Sequence, residues 1–310
     1  MKLANSVLIT GAAGFLGHYV TRQFATAGWR VIGVDNLAPE EIQFRPGTAY
    51  HQLSLPDPSL ADLLAAERPK ACVHCAGKAS VPLSMEEPAA DFRSNTVLTF
   101  ELLELLRKRA PGCRFLLLSS AAVYGNPASL PVYETHASVP LSPYGYHKRQ
   151  CESICEEFSR VYGLATTCVR IFSAYGPGLK RQVIWDICER VLRGDRLNLH
   201  GTGDESRDFV HAADIARALE MLARISPGEA DIYNLATSRE VTIRELATLI
   251  TTFLETGNVV EFDGKVRPGD PLNWRADVSK IRALGFEPAV SLEQGIRTVA
   301  TWASADLSAK

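Results

Sequence analysis

Apolar residues recur along the chain in short runs separated by stretches of helical period. "SVLITG" (6–11), "RVIGVDN" (30–36), a weaker "TAYHQL" (48–53), "ACVHCAG" (71–77), "RFLLLSS" (114–120) and "ATTCVRIFSAYG" (165–176) have the character of strands. Such runs, a few residues long and rich in β-branched side chains, suit strands buried on both faces. Between them, apolar positions fall at helical spacing near 15–28, through "DFRSNTVLTFELLELLRKR" and after Tyr144. In that last segment Cys151, Ile154, Cys155, Phe158 and Val161 fall on one stripe. Strand and helix in alternation predict an α/β fold, a doubly wound parallel sheet with helices on both faces.

After Phe172 the rhythm changes. Residues 176–208 are rich in Gly, Arg and Asp, with one helical pattern over 182–193. A strand-like "YNLA" (233–236), a helix near 242–255 and a loop-like "DGKVRPGDPLN" follow. The pattern predicts two lobes. Residues 1–172 form a nucleotide-binding domain, joined by a returning strand near 231–236. Residues 173–310 are mainly a smaller C-terminal substrate-binding lobe. There is no internal repeat, low-complexity tail or long linker.

Composition narrows the picture. The 310 residues are 46% hydrophobic and 22% charged, with a net charge of −2. That is ordinary for a globular chain and offers no basic footprint for nucleic acid. The longest apolar stretches, such as "FLLLSSAAV" (115–123), are too short to span a bilayer, so no membrane partner is expected. The N-terminus has the look of a first strand rather than a leader. Seven cysteines, an odd number spread along the chain, argue for a reducing compartment, and a cytoplasmic location is expected. Cys72 and Cys75 form a C-x-x-C with no second pair to complete a zinc site, and are expected to be buried, inert thiols. His74, His147 and His211 lack metal-ligand spacing and are expected either to be structural or to support neighbouring site residues without touching a ligand themselves.

Two stretches carry chemistry. "LITGAAGFLGHYV" places Gly11, Gly14 and Gly17 directly after an apolar strand, at the opening of a helix. One glycine makes a tight turn, one lets backbone approach a pyrophosphate, and one allows close packing of strand and helix. The free N–H groups of the helix start then attract the anion. The spacing is G-x-x-G-x-x-G. Asp35 follows about twenty residues further on, at the end of the second strand, where its carboxylate can accept ribose hydroxyls. It would repel a 2′-phosphate, so NAD is expected rather than NADP, in a Rossmann-type sheet.

The other stretch is "LSPYGYHK" (141–148). Tyr144 and Lys148 stand one helical turn apart, and Ser119 and Ser120 end the preceding strand, where ligands bind in such sheets. A phenol titrates near pH 10 and is a poor base at neutrality. An ammonium about 4 Å away, at an effective dielectric near 20, stabilises a phenolate by about 4 kcal/mol. Tyr144 could then take a proton from a substrate hydroxyl, with Ser120 holding the substrate oxygen in line.

With these residues in view the chain resembles an extended short-chain dehydrogenase/reductase of the nucleotide-sugar epimerase/dehydratase group, most similar to UDP-glucose 4-epimerase-like enzymes. The resemblance covers nearly the whole chain. It rests on "TGAAGFLG", "VDN", "HCAG", Asn95 in "SNTVLTFELL", "SSAAVYG", "SPYGYHK", "RIFSAYGPG", "RDFVHAADIA", "YNLA" and "RPGD". It implies that Phe15 and Leu16 lie in the pyrophosphate loop, Asp35 and Asn36 at the adenosine ribose, and Ala76, Gly77 and Asn95 beside the cofactor. Ser120, Tyr144 and Lys148 match the catalytic trio, with Lys148 also at the nicotinamide ribose and Phe172 near the nicotinamide. Arg207, Arg267 and Asp270 match positions that hold the nucleotide of the sugar donor. A homodimer through the helices at 92–109 and 146–162 is likewise implied. Two positions depart from the family pattern: Ser54 replaces an acidic residue near adenine, and Ser173 replaces an Asn at a substrate phosphate.

Before "VYG" the family's dehydratases carry Asp-Glu and its decarboxylases Glu; here Ala121 and Ala122 can do neither job. What remains is chemistry needing only hydride transfer at C4. Asp35 favours an NAD-dependent nucleotide-sugar 4-epimerase, inverting a UDP-linked hexose through a transient 4-keto sugar. A nucleotide-4-keto-sugar reductase using NAD(P)H is the alternative. A non-catalytic NAD(P)-binding regulator is a third reading, against which both Tyr144 and Lys148 argue.

Overall fold

The computed structural model of the chain describes residues 5–39, 48–225, 229–256, 259–265 and 271–308. In chain order the elements are β1 (Ser6–Thr10), α1 (Phe15–Thr26), β2 (Arg30–Asp35), β3 (Ala49–Gln52), α2 (Ser59–Glu67), β4 (Ala71–His74), α3 (Val81–Glu86) and α4 (Pro88–Phe92). A π-helical turn (Arg93–Val97) leads into α5 (Leu98–Arg109), β5 (Arg114–Ser120), a 3₁₀ turn (Ala121–Val123), α6 (Pro143–Tyr162), β6 (Thr166–Ile171) and β7 (Ser173–Tyr175). Then come α7 (Gln182–Leu192), β8 (Leu197–Leu199), β9 (Ser206–His211), α8 (Ala212–Ile225), β10 (Glu229–Leu235) and β11 (Glu240–Thr242). The last elements are α9 (Ile243–Phe253), β12 (Val260–Phe262), α10 (Ser279–Arg282) and α11 (Leu292–Ser308).

Seven strands form one sheet in the order β3-β2-β1-β4-β5-β6-β10, every pair parallel. Side chains alternate between its faces with period two. Val7, Ile9, Val31, Val73, Leu116 and Val169 pack on one side against Val20 and Phe24 of α1 and Ile215, Leu219 and Leu222 of α8. Leu8, Ile32, Cys72, Phe115, Leu117 and Cys168 pack on the other against α2, α5 and α6. Both faces are covered, which is why the strand sequences are continuously apolar rather than alternating. Cys151, Cys155 and Phe158 of α6 join the second core as the stripe predicts, but Val161, 66% exposed, does not. The helix ends one residue later, with Gly163 left-handed at φ 69°.

The apolar run over 165–176 is not one strand. β6 stops at Ile171, level with the last residue of β5, and the Phe172 N–H donates to Leu235 of β10 at 3.1 Å. The chain then turns away, and β7 pairs with β9 in a three-stranded sheet, β7-β9-β11. This sheet packs on α7, α9 and α11 through Ile187, Val191, Leu246, Ile250, Ile296 and Val299. A two-stranded pair, β8 with β12, completes the later segments. "YNLA" is the end of β10, which lies beside β6 in the large sheet. No helix among the described residues is long and apolar enough to cross a membrane.

Candidate active site

The strand order reverses between β1 and β4, and the loops at their carboxyl ends open a crevice. The glycines show why the first loop needs them. Gly11 is left-handed at φ 68°, and a Cβ there would lie 2.6 Å from the Ala76 nitrogen. A Cβ on Gly17 would lie 1.9 Å from the Gly11 carbonyl oxygen. The loop is thus pressed against both its own helix and the loop after β4. Gly14 is the N-cap of α1 and provides no capping side chain, and no acidic residue stands in the first turn where Phe15 and Leu16 sit. The helix start is left open for an anion.

Asp35 ends β2. Its carboxylate accepts the N–H of Ala13 (3.0 Å) in the glycine loop and those of Asn36 (2.8 Å) and Leu37 (3.4 Å) in its own turn. A carboxylate has about four lone-pair sites, and the described residues occupy three of them, which leaves one for a hydroxyl. Asn36 beside it is exposed.

The loop after β4 forms the crevice floor. His74 is buried and hydrogen-bonded to Thr10 Oγ1 at 2.7 Å. Burial, and then the Lys148 ammonium, push it down to about 3, so the ring stays neutral. Burial pushes the neighbouring Cys75 thiol up to about 12, which leaves it unreactive. Gly77, at φ 131°, leaves no room for a side chain, because a Cβ would lie 2.8 Å from Asn95 Oδ1. Asn95 is buried in the π turn, and its Oδ1 has no hydrogen-bond partner.

α6 supplies the reactive pair. Ser142 caps it through the Gly145 N–H (3.3 Å), Pro143 occupies the first turn, and Ser84 of α3 accepts the Tyr144 N–H at 3.2 Å. Gly145 allows the helix start to lie on the turn after β5, since a Cβ there would lie 2.6 Å from the Ala122 carbonyl oxygen. Tyr144 and Lys148 are both buried, with Lys148 Nζ 5.9 Å from the Tyr144 ring centroid. Among the described residues the Tyr144 hydroxyl makes no hydrogen bond and Lys148 no ion pair. The ammonium's three N–H donors are therefore available to acceptors on a ligand.

Ser120 and Ser119 point to different tasks. Ser120 is half-buried at the strand end, where its Oγ accepts the Ala122 N–H at 3.1 Å. Ser119 is buried and donates to Glu152 of α6 at 2.6 Å. Glu152 also pairs with Arg170 of β6, and that guanidinium lies 4.7 Å from the Tyr124 ring. Phe172 is buried between Tyr124 and Trp274, and Ser173 starts β7 half-buried. Arg207 lies over the Trp274 ring at 5.5 Å, and Trp274 Nε1 donates to Gly125 at 3.1 Å. Arg267 and Asp270 fall outside the described residues.

The glycine loop, Asp35, the 76–77 loop, Asn95, Tyr144 and Lys148 are therefore gathered at one end of the sheet. These surroundings fit a dinucleotide: an uncapped helix start for its phosphates, a lone-pair site at Asp35, an orphaned amide oxygen and an unpaired ammonium. Sequence reasoning missed Ser84, the Glu152–Arg170 pair, Trp274 and the contact of His147 with Asp91 (2.6 Å). Each joins residues far apart in the chain, and no local spacing signals it.

Comparison with known proteins points the same way. The UDP-glucose 4-epimerase of Thermotoga maritima, solved with UDP-glucose, is 30% identical, with 97% of this chain and 99% of that one covered and a TM-score of 0.88. The Thermus thermophilus UDP-glucose 4-epimerase in complex with NAD is 28% identical, covering 96% and 98% at a TM-score of 0.86. The GDP-6-deoxy-D-mannose reductase of Pseudomonas aeruginosa is 29% identical over 312 residues, 96% of each chain. The model of the NAD dependent epimerase/dehydratase family matches residues 7–236, and the chain belongs to that family.

Proposed function

We propose that this chain is an NAD-dependent nucleotide-sugar 4-epimerase acting on a UDP-linked hexose. One observation carries the reading: in a largely buried pair, an ammonium with no counter-group among the described residues stands one turn from a phenol with no hydrogen-bond partner there, at the sheet end that holds the glycine loop and Asp35. The start of α1 would hold the phosphates of NAD, Asp35 and Asn36 its adenosine ribose, and Ala76, Gly77, Asn95 and Phe172 its nicotinamide end. NAD supplies, when bound, the acceptor and donor for the hydrogen on C4. Tyr144 takes the proton of the C4 hydroxyl and returns it once the 4-keto sugar has presented its other face. Lys148 favours the phenolate that accepts the proton and that re-forms once it is returned, and it would hold ribose hydroxyls of the cofactor. Ser120 orients the C4 oxygen. Arg207, Arg267 and Asp270 hold the nucleotide, and Ser173 lies by its phosphates, in a C-terminal substrate-binding lobe.

Ala121 and Ala122 are apolar and buried, so the turn beside Ser120 offers no acid or base for eliminating water or carbon dioxide. A homodimer through α5 and α6, where Phe100, Val161 and Tyr162 are exposed, accompanies the reading and is checked by light scattering.

The test is incubation of purified protein with UDP-sugars and no added cofactor. C4 inversion with co-purified NAD supports the proposal, whereas ketone reduction strictly dependent on added NAD(P)H rejects it in favour of the reductase. Tyr144→Phe should keep the cofactor and lose turnover by about 10²–10⁴-fold. Indifference to that change would favour a binding module.

A further inference from the structure

His147 stands between the two reactive residues of α6, directly before Lys148. The structure gives it a definite partner. Its Nδ1–H donates to Asp91 Oδ2 at 2.6 Å, with both side chains largely buried, and Phe92 packs edge-on against the ring at 5.3 Å. Asp91 belongs to α4, just before the π turn. That turn holds one residue more than an α-turn would, and such insertions release carbonyls from the helical ladder. The carbonyl of Asp91 is taken by the Asn95 side chain, whose Nδ2 donates to it at 3.1 Å. The same Nδ2 lies 3.2 Å from Asp91 Oδ1 and 3.1 Å from the Lys78 carbonyl oxygen. Thr96 adds a bond to the His147 carbonyl at 3.4 Å.

One carboxylate thus ties α6 on one oxygen and the Asn95 amide on the other. The amide in turn ties the loop after β4. With both of its N–H groups committed, Asn95 presents its unpartnered Oδ1 against Gly77 in a fixed orientation. No other carboxylate among the described residues touches Asn95 or His147.

We propose that His147 and Asp91 are positioning residues. They hold the Asn95 turn and the 76–78 loop at a set distance from Lys148, and so shape the nicotinamide-ribose end of the site. The inference rests on the dinucleotide reading above, and its test does not require turnover.

The test compares NADH with ADP. ADP carries the adenosine and pyrophosphate but lacks the nicotinamide ribose, so it reports on the glycine loop and Asp35 alone. NADH is titrated by its nicotinamide emission and ADP by displacement, on wild type, His147→Ala, Asp91→Ala and His147→Gln. The alanine variants should weaken NADH about tenfold, 1.4 kcal/mol, and leave ADP within about twofold. His147→Gln keeps an N–H donor for Asp91 and should restore NADH to within about threefold of wild type. Unchanged NADH binding in both alanine variants overturns the proposal. So does an equal loss of NADH and ADP, which marks a merely structural pair. Should the alanine variants not fold, Asp91→Asn and His147→Gln carry the comparison, the first weakening NADH and the second keeping it. A wild type that binds NADH yet inverts no nucleotide-sugar sinks the epimerase reading and leaves this one standing.

Discussion

Removal of the Glu152 carboxylate should be among the most damaging changes the fold can suffer outside the crevice. Glu152 and Arg170 are 7% and 5% exposed, and their two oxygens and two nitrogens meet in parallel at 3.0 and 2.8 Å. Burial alone would weaken the guanidinium's hold on its proton, but the bonds to Glu152 outweigh it and push Arg170 up. In Glu152→Ala three donors lose their acceptor: two on Arg170 and the Ser119 hydroxyl. Among the described residues Arg170 keeps only the Glu134 carbonyl at 3.1 Å and the Tyr124 face. Stripping one partner from a buried pair costs about 3–5 kcal/mol. At about 2 °C per kcal/mol for a chain of this length, Tm should fall by about 8 °C. Glu152→Met with Arg170→Met removes both charges together and should recover most of that loss. Scanning calorimetry and urea midpoints on Glu152→Met, Arg170→Met and the double complete the cycle. A single variant that shifts Tm by under about 2 °C, or a double as unstable as the sum of the singles, would refute the reasoning.

Other outcomes follow from single contacts. Lys148→Met removes the ammonium that favours the Tyr144 phenolate and should cut turnover by about 10²-fold or more, read in a steady-state assay, with the urea midpoint little changed. Gly17→Ala forces α1 off the Gly11 carbonyl and should cost about 1–3 kcal/mol and abolish dinucleotide binding, read by calorimetry and NADH titration. His74 titrates near 6.5 when unfolded but is held down to about 3 when folded, so its contribution is complete above 6.5 and fades as pH falls. Between pH 7 and pH 5, wild type should lose about 2 kcal/mol more than His74→Gln, measured by urea midpoints at each pH.

What was legible in the chain were features of local pattern. The glycine spacing and "VDN" located β1, α1 and β2, and Tyr144 with Lys148 announced α6. The distance assumed there, about 4 Å, compares with 5.9 Å from Nζ to the ring centroid. Helices α8 and α11 were not anticipated. α8 does carry a helical stripe, Ile215, Leu219 and Leu222 among buried alanines, but it follows directly on β9 with no loop or glycine to mark where the strand ends. The π turn is invisible to periodicity, because apolar spacing continues through it into α5. The break after Ile171 depends on where β5 ends, which the 165–176 run cannot report. The polar links, Glu152 to Arg170 and His147 to Asp91, exist only once helices and sheet are stacked.

The placement of β10 has a consequence for synthesis. Until residue 235 has been made, the outer edge of β6 has no neighbour, although everything from β1 to β6 is already available to pair. About sixty residues separate the two strands, some 3–12 s at ribosomal speed. Throughout that window a nascent chain offers a bare parallel edge to any passing polypeptide, the kind of surface that seeds clumping. The two halves of this protein therefore cannot be cut at residue 172 and expected to stay apart from one another's copies in solution.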